Sequence, residues 1–398
     1  MARLAWPIAE ERICLDADVT DGRLVPRAVV STRNTGLAAA MAGRPLAEVP
    51  GLLRRLFPLC GMAHTVAAVT AIETALGVAP APAQRAFRAL MLLTEHANAV
   101  AWRILMDWPP LLGGSANAHA YAAFLRASAP ITAGADRLLG IGGTALRGPR
   151  ARFENAASSL ATMLIALFSE AAAPARSFDA LQAALRGGRS FPARLIAHVR
   201  ADLPLRYGRH DLPMLASADA DWFAARLAQI SGFSAAPSRD GTPAEVGPLA
   251  ARRHPLVDAA VAQWGAGLAT RLLAAALDAP VVAERLRGAC EQLADDEQAE
   301  VDTMRRGSGA GVVETARGPL AYRVEVADGR VRTLRSVAPT EWNFHPDGPF
   351  RAALAAAPAV ADPRAAARLL AASFDPCVPF EIADPNGRRA PQKDLAHA

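Results

Sequence analysis

With 398 residues, 52% of them hydrophobic and 20% charged, the chain carries too much apolar surface for a disordered or low-complexity polymer. Its formal net charge is +5, yet Lys393 is the only lysine and the arginines alternate with acids along the chain. No basic run with interleaved aromatics marks a nucleic-acid-binding face.

Aromatic residues make up 6% and alanine is abundant, a mix that favours close-packed helices over sheets. The four cysteines (Cys14, Cys60, Cys290, Cys377) are too few and too scattered for a disulfide framework. They form no Cys-x-x-Cys pair, so no zinc ribbon can be written. The N-terminus lacks a basic region followed by an apolar core, as an export signal requires. The longest apolar stretch, near Leu160 to Phe168, is too short to span a bilayer. These features lead us to expect a soluble, cytoplasmic protein without membrane or nucleic-acid partners.

In chain order, Ile13 to Val30 is expected to form a β-hairpin turning at Asp21-Gly22, because Asp-Gly between alternating apolar residues signals a tight turn. Helices are predicted from Cys60 to Leu76 and from Ala83 to about Asp107, the second closed by Pro109-Pro110 and Gly113-Gly114. Gly140 to Gly148 (GIGGTALRG) has neither a following Lys-Ser/Thr nor a preceding strand, so it reads as a loop and not a phosphate cradle. Further helices are predicted near 152–170, 177–185, 218–230 and 255–277. Another is predicted over 281–306, with Asp295-Asp296-Glu297 on a solvated face. A second hairpin is expected from Leu320 to Val337 around Asp328-Gly329. The two hairpins could lie close in space, though nothing requires it.

Four segments carry candidate chemistry. They are Arg55-Leu-Phe57-Pro-Leu-Cys60-Gly-Met-Ala-His64, Glu314-Thr-Ala-Arg317-Gly-Pro-Leu320, Ala338-Pro-Thr340-Glu-Trp-Asn343 and Ser373-Phe-Asp375-Pro-Cys377-Val-Pro-Phe380. Their order and spacing resemble the large subunit of NiFe hydrogenases. That family has R-x-C-x-x-C-x-x-x-H, then E-x-P-R-G-x-L, P-T/S-x-W-N, and finally D-P-C-x-x-C-x-x-H. The resemblance covers residues 10–107 and 311–380. It implies one predominantly helical α+β domain over 1–398, with small hairpins near both ends, a helical middle over 108–310 and a polar tail over 384–398.

The family binds nickel through four cysteines, two of which bridge to an iron carrying cyanide and carbon monoxide. Here Phe57 and Phe380 stand at two of the four cysteine positions, while Cys60 and Cys377 keep the others. Cys14 stands where the family has a proton-gate glutamate. Ala383 replaces the terminal histidine, so processing of the tail is not expected. Phenylalanine donates nothing to a metal and would fill the space of the nickel, which needs several soft thiolates.

The iron side is better preserved. By resemblance, Arg317 and Thr340 match the groups that contact the two cyanides, and Leu320 matches the wall beside the carbon monoxide. Asp375 and Glu95 match acidic positions beside the metals. Guanidinium and hydroxyl donors suit cyanide nitrogens, which only accept hydrogen bonds. His64, His96, Trp342 and Asn343 are expected to be structural, and Cys14 and Cys290 to be small buried apolar residues.

The pattern resembles the HupK/HoxV type of hydrogenase maturation factor and implies no catalytic residue. The expected role is a scaffold that takes a transient Fe(CN)2(CO) unit on Cys60 and Cys377, without nickel, and passes it to the hydrogenase large-subunit precursor. The cytoplasmic maturation proteins that build the unit would be further partners. The alternatives are a metal-free large-subunit mimic that escorts the same partners, and a divergent hydrogenase large subunit.

Overall fold

Asp21-Gly22 and Asp328-Gly329 each place two successive residues at positive φ, 47° and 71° in the first and 55° and 69° in the second. This is the geometry whose twist matches that of an antiparallel ribbon. The first turn joins β1 (Ile13–Thr20) to β2 (Arg23–Ser31). A preceding strand, β3 (Gly307–Thr315), leads into β4 (Gly318–Ala327), which the second turn joins to β5 (Arg330–Val337). The hairpins lie in different sheets, each completed by a strand the sequence pattern had not revealed. β6 (Phe380–Ile382) runs parallel to β1, giving the order β2-β1-β6, while β3 pairs antiparallel with β4 to give β3-β4-β5. The segment after the first hairpin reaches the second sheet, where the Gly43 amide donates to the Val331 carbonyl at 2.8 Å.

The computed structural model describes residues 11–33, 36, 38–133, 139–143, 150–172, 177–291, 293 and 301–383. The helices of the first half are α1 (Val49–Leu56), α2 (Gly61–Leu76), α3 (Pro82–Trp102), α4 (Ala118–Thr132) and α5 (Arg150–Leu167). They are followed by α6 (Phe178–Arg186), α7 (Phe191–Asp202), α8 (Ala220–Gln229), α9 (Pro255–Trp264) and α10 (Leu268–Gly288). The last are α11 (Pro339–Asn343), α12 (Pro349–Ala355) and α13 (Pro363–Phe374). The fold class is α+β and predominantly helical, as expected. A continuous apolar core runs from Ile13 to Phe374, and a smaller aromatic one gathers Phe223, Phe233 and Trp342. Among the described residues no helix is long and apolar enough to cross a membrane.

Three helix boundaries differ from expectation. The predicted 255–277 helix is two helices, because the chain breaks at Gly265, where a φ of 76° is disfavoured for any residue with a Cβ. The predicted 281–306 helix does not start afresh: residues 281–288 complete α10. Asp295-Asp296-Glu297 lies outside the described residues. Finally, α3 stops being α-helical at Trp102 and continues as a π-helical turn over Arg103–Asp107, a distortion frequent beside functional sites. The described part of the glycine cluster is a loop, as read. Its Gly142 amide donates to Glu73, which is itself paired in the core with Arg88.

What fixes the architecture near the later motifs is the contact of α2 with β3. Gly307, Gly309 and Gly311 alternate along β3 and so share one face of the strand. A Cβ at these positions would lie 2.1, 2.3 and 2.2 Å from the carbonyl oxygens of Ala75, Ala71 and Ala67. Helix backbone therefore rests directly on strand backbone. Because the strand rises as the helix descends, the end of β3 arrives at the start of α2. Gly309→Ala is expected to lower stability by about 2–3 kcal/mol in urea unfolding, through overpacking. Gly288→Ala, whose Cβ would meet nothing within 4 Å, should change it by less than about 1 kcal/mol.

Candidate metal-cargo site

Cys60 stands at the N-cap of α2, after the Phe57-Pro58-Leu59 turn, and its carbonyl accepts the His64 amide at 3.0 Å. Gly61 follows because its Cα lies against α1, and a Cβ there would meet the Arg54 carbonyl at 2.7 Å. The exposed amides of the first helical turn are taken by a carboxylate from the next helix. Glu95 on α3 accepts from Met62 N at 2.7 Å and from Ala63 N at 3.0 Å. Glu95 is thus a clamp on the helix that presents Cys60, and not a cap within its own helix.

Arg317 occupies the turn between β3 and β4. Gly318 takes a φ of 123° there, and Thr315 Oγ1 accepts the Arg317 amide at 3.1 Å and donates to the Gly318 carbonyl at 2.8 Å. The Arg317 guanidinium donates through Nε to the Asp375 carbonyl at 3.0 Å and through Nη2 to Oδ1 of Asp375 at 3.3 Å. Asp375 ends α13 in the left-handed region, at a φ of 52°, and also accepts from Arg103 Nη2 at 2.6 Å. Burial raises the Asp375 carboxyl, but Arg103 and Arg317 outweigh it and hold the pKa below the ordinary value. This carboxylate aims Arg317 and anchors the Pro376-Cys377 loop. The loop continues into β6, which is held by the Ile13 amide on the Pro379 carbonyl at 2.8 Å.

Thr340, in the first turn of α11, places Oγ1 3.3 Å from Sγ of Cys377. Cys60, Cys377, Arg317, Thr340, Leu320 and Glu95 all line one cavity of about 30 Å³. Six of the seven candidate residues therefore meet there, and the seventh, Asp375, acts through Arg317. Burial first, and then the nearby Cys377, push the Cys60 thiol well above its usual range. Two larger grooves, of about 370 and 420 Å³, adjoin the cavity and share Leu59 and Arg317 with it; Cys377 faces the larger one. Among the described residues no three His, Cys, Asp or Glu side chains converge as a ready-made metal cluster.

The two phenylalanines do not line this cavity. Phe57 stacks on the His64 ring, with centroids 3.6 Å apart and planes 5° from parallel. Phe380 turns its edge to Phe350 at 5.4 Å and borders the outer groove.

His64 Nδ1 and the Tyr322 hydroxyl lie 2.6 Å apart in a hydrogen bond; burial and Arg33 lower the imidazole to about 3, so it is neutral. His96 bonds Asp278 at 3.2 Å. Trp342 packs in the aromatic core, and Asn343 clamps both backbone groups of Val246. Cys14 and Cys290 lie away from the cavity lining.

Sequence reasoning missed Arg33, Arg103, Asp107, Tyr322 and Glu341. Arg103 and Asp107 left a trace, since both are charges in the apolar run AVAWRILMDW. Arg33 follows a hairpin and left none.

Burial raises the carboxyls of Glu95 and Asp107 to about 7 each, with Asp375 adding to the rise at Asp107. An acid whose pKa is higher folded than unfolded binds more protons in the folded state, so stability is lost as pH rises from about 4 through about 7. The Tm should therefore fall between pH 5 and 8, and Glu95→Gln with Asp107→Asn should flatten that slope.

The sequence profile of the nickel-dependent hydrogenase family matches residues 227–381. The hydrogenase expression/formation protein HupK of Rhizobium leguminosarum bv. viciae is 32% identical over 383 residues, covering 93% of this chain and 95% of that protein. HupK of Bradyrhizobium diazoefficiens is 31% identical, covering 92% and 93%, and HoxV of Cupriavidus necator is 30% identical, covering 86% and 88%. Among solved structures, the NiFeSe hydrogenase of Dm. baculatum superposes with a TM-score of 0.63 at 17% identity, over 91% of this chain and 95% of that one. The enzyme of D. vulgaris Hildenborough gives 0.64 at 15% identity over the same shares. Sharing the hydrogenase large-subunit fold and similar along most of its length to proteins named for hydrogenase formation, the chain belongs to the HupK/HoxV family of hydrogenase expression/formation proteins.

Proposed function

We propose that this chain is a non-catalytic, cytoplasmic scaffold of hydrogenase maturation whose cargo is an Fe(CN)2(CO) unit held between Cys60 and Cys377. The reading rests on one observation above the others: two thiols, a guanidinium and a hydroxyl line a single cavity. A low-spin iron already bearing three strong diatomic ligands needs few protein donors, and soft thiolates suit it. Each thiol must lose its proton to ligate, so loading releases protons. Thr340 and Arg317 are donors able to serve cyanide nitrogens.

The family membership supports the coarser half of this reading, a role in hydrogenase formation. The names of its relatives describe expression and formation and not turnover. The proposed scaffold would receive the cargo from the proteins that build it and hand it to a large-subunit precursor, whose fold it shares. The larger groove faced by Cys377 offers the way in.

Anaerobic purification from a host with the full maturation machinery, followed by infrared spectroscopy and metal analysis, tests the proposal. Cyanide and carbonyl bands with iron and without nickel are expected. Cys60→Ala and Cys377→Ala should each abolish the bands, and Thr340→Val should shift a cyanide band while keeping iron. Bands that survive in both cysteine variants would overturn the ligand assignment. Their absence from the wild type would favour the metal-free escort.

A further inference from the structure

Arg33 is a charged side chain buried to 7% exposure, among the residues lining the Cys60–Cys377 cavity. It reaches there from the end of β2 and pairs through Nη1 with Oε1 of Glu341, itself 4% exposed. The pair is one-armed. Arg33 Nε and Glu341 Oε2 are buried without a hydrogen-bond partner among the described residues. A bidentate fork would be the stronger arrangement, and an idle buried guanidinium N–H costs about 1–3 kcal/mol. Arg33 feels the Cys377 and Cys60 positions as well as Glu341 and Glu11, and in turn acts on His64. With Arg317 on the same wall, two guanidiniums flank the two thiols.

We propose that Arg33 is a second anion-binding residue of the cavity, and that its Nε–H donates to a small linear anion of the cyanide class. The inference deepens the cargo reading and rests on it for the identity of the natural ligand. Free cyanide and iron-bound cyanide present the same acceptor nitrogen. The charges are consistent. Iron(II) with two cyanides and a carbonyl is neutral, and ligation by two thiolates makes a dianion. Arg317 is engaged by Asp375 through both Nε and Nη2, whereas Arg33 meets Glu341 through Nη1 and keeps Nε unpartnered, so Arg33 is the guanidinium of this cavity with a buried donor to spare. A cavity of about 30 Å³ admits a small linear anion, and the rest of an iron unit carrying that anion would extend into the adjoining groove that Cys377 also lines.

The test uses the purified full chain without metal and azide as the probe, a linear anion with an infrared band in a clear window. Saturable binding with a shifted azide band is expected, with competition by cyanide. Arg33→Met combined with Glu341→Gln removes both charges together and should weaken azide binding at least tenfold. Arg33→Lys, which keeps the charge but not the fork, should weaken it several-fold. Glu341→Gln alone should leave it intact or tighten it. Circular dichroism and thermal unfolding establish that each variant is folded, and Arg33→Lys carries the test if the double variant is not. Azide binding unchanged in the folded Arg33 variants, or none in the wild type, overturns the proposal. Because no iron is involved, that failure is separate from the loss of iron cyanide bands that would overturn the cargo reading.

Discussion

Everything at the site depends on helix backbone lying directly on strand backbone. The alternating glycines 307, 309 and 311 leave no side chain between β3 and the carbonyls of Ala67, Ala71 and Ala75. Such an approach costs strand stability, since glycine is entropically poor there, and dense packing offsets the loss. Its benefit is registration. α2 cannot slide or rotate on β3 without driving carbonyls into the strand, so Cys60 at one end of α2 is fixed against Arg317 at the far end of β3. The other cysteine reaches the same place by a different route. β6 pairs with β1 from Ile13↔Phe380 to Leu15↔Ile382, and the three residues before that pairing carry Cys377 back over the cavity.

Around this frame the buried charges are set in pairs that orient donors as well as neutralise them. Asp375 is shared by Arg103 and Arg317, and Glu95 holds the first turn of α2. Breaking one buried partner typically costs about 3–5 kcal/mol, because the other is left without compensation. These groups are therefore as much part of the fold as the leucines. Arg103 sits in a π-helical turn, where the extra residue per turn re-aims its side chain from the helix axis towards Ala275 and Asp375. A straight continuation of α3 to Asp107 would point it elsewhere.

The sequence revealed the hairpins because Asp-Gly turns demand positive φ, a strictly local requirement. It revealed the site motifs because their residues are chemically distinctive and appear in a familiar order. What stayed hidden was non-local. β6 is three residues long and exists only through its pairing with β1, and β3 reads GSGAG, a composition that by itself suggests a loop. The break at Gly265 lay inside an apolar run that periodicity alone joins into one helix. Arg33 was indistinguishable from the other exposed-looking arginines until the fold brought it beneath α11. Position in sequence carried no sign of its burial.

The phenylalanines at two expected cysteine positions pack onto neighbouring rings. Phe57 gives its face to His64 and Phe380 its edge to Phe350, so both rings consolidate the walls behind the cavity. With Phe57 stacked on its face and Tyr322 bonded to Nδ1, the neutral imidazole of His64 offers no free nitrogen at Nδ1. The phenylalanines thus leave two fewer thiols than the family pattern, and one of them stacks on a nearby histidine. What remains on the cavity wall is a pair of thiols flanked by guanidiniums and a hydroxyl. Two thiols are fewer donors than a bare metal ion seeking four protein ligands requires, and on the proposed cargo reading the ligand would bring strong-field groups of its own.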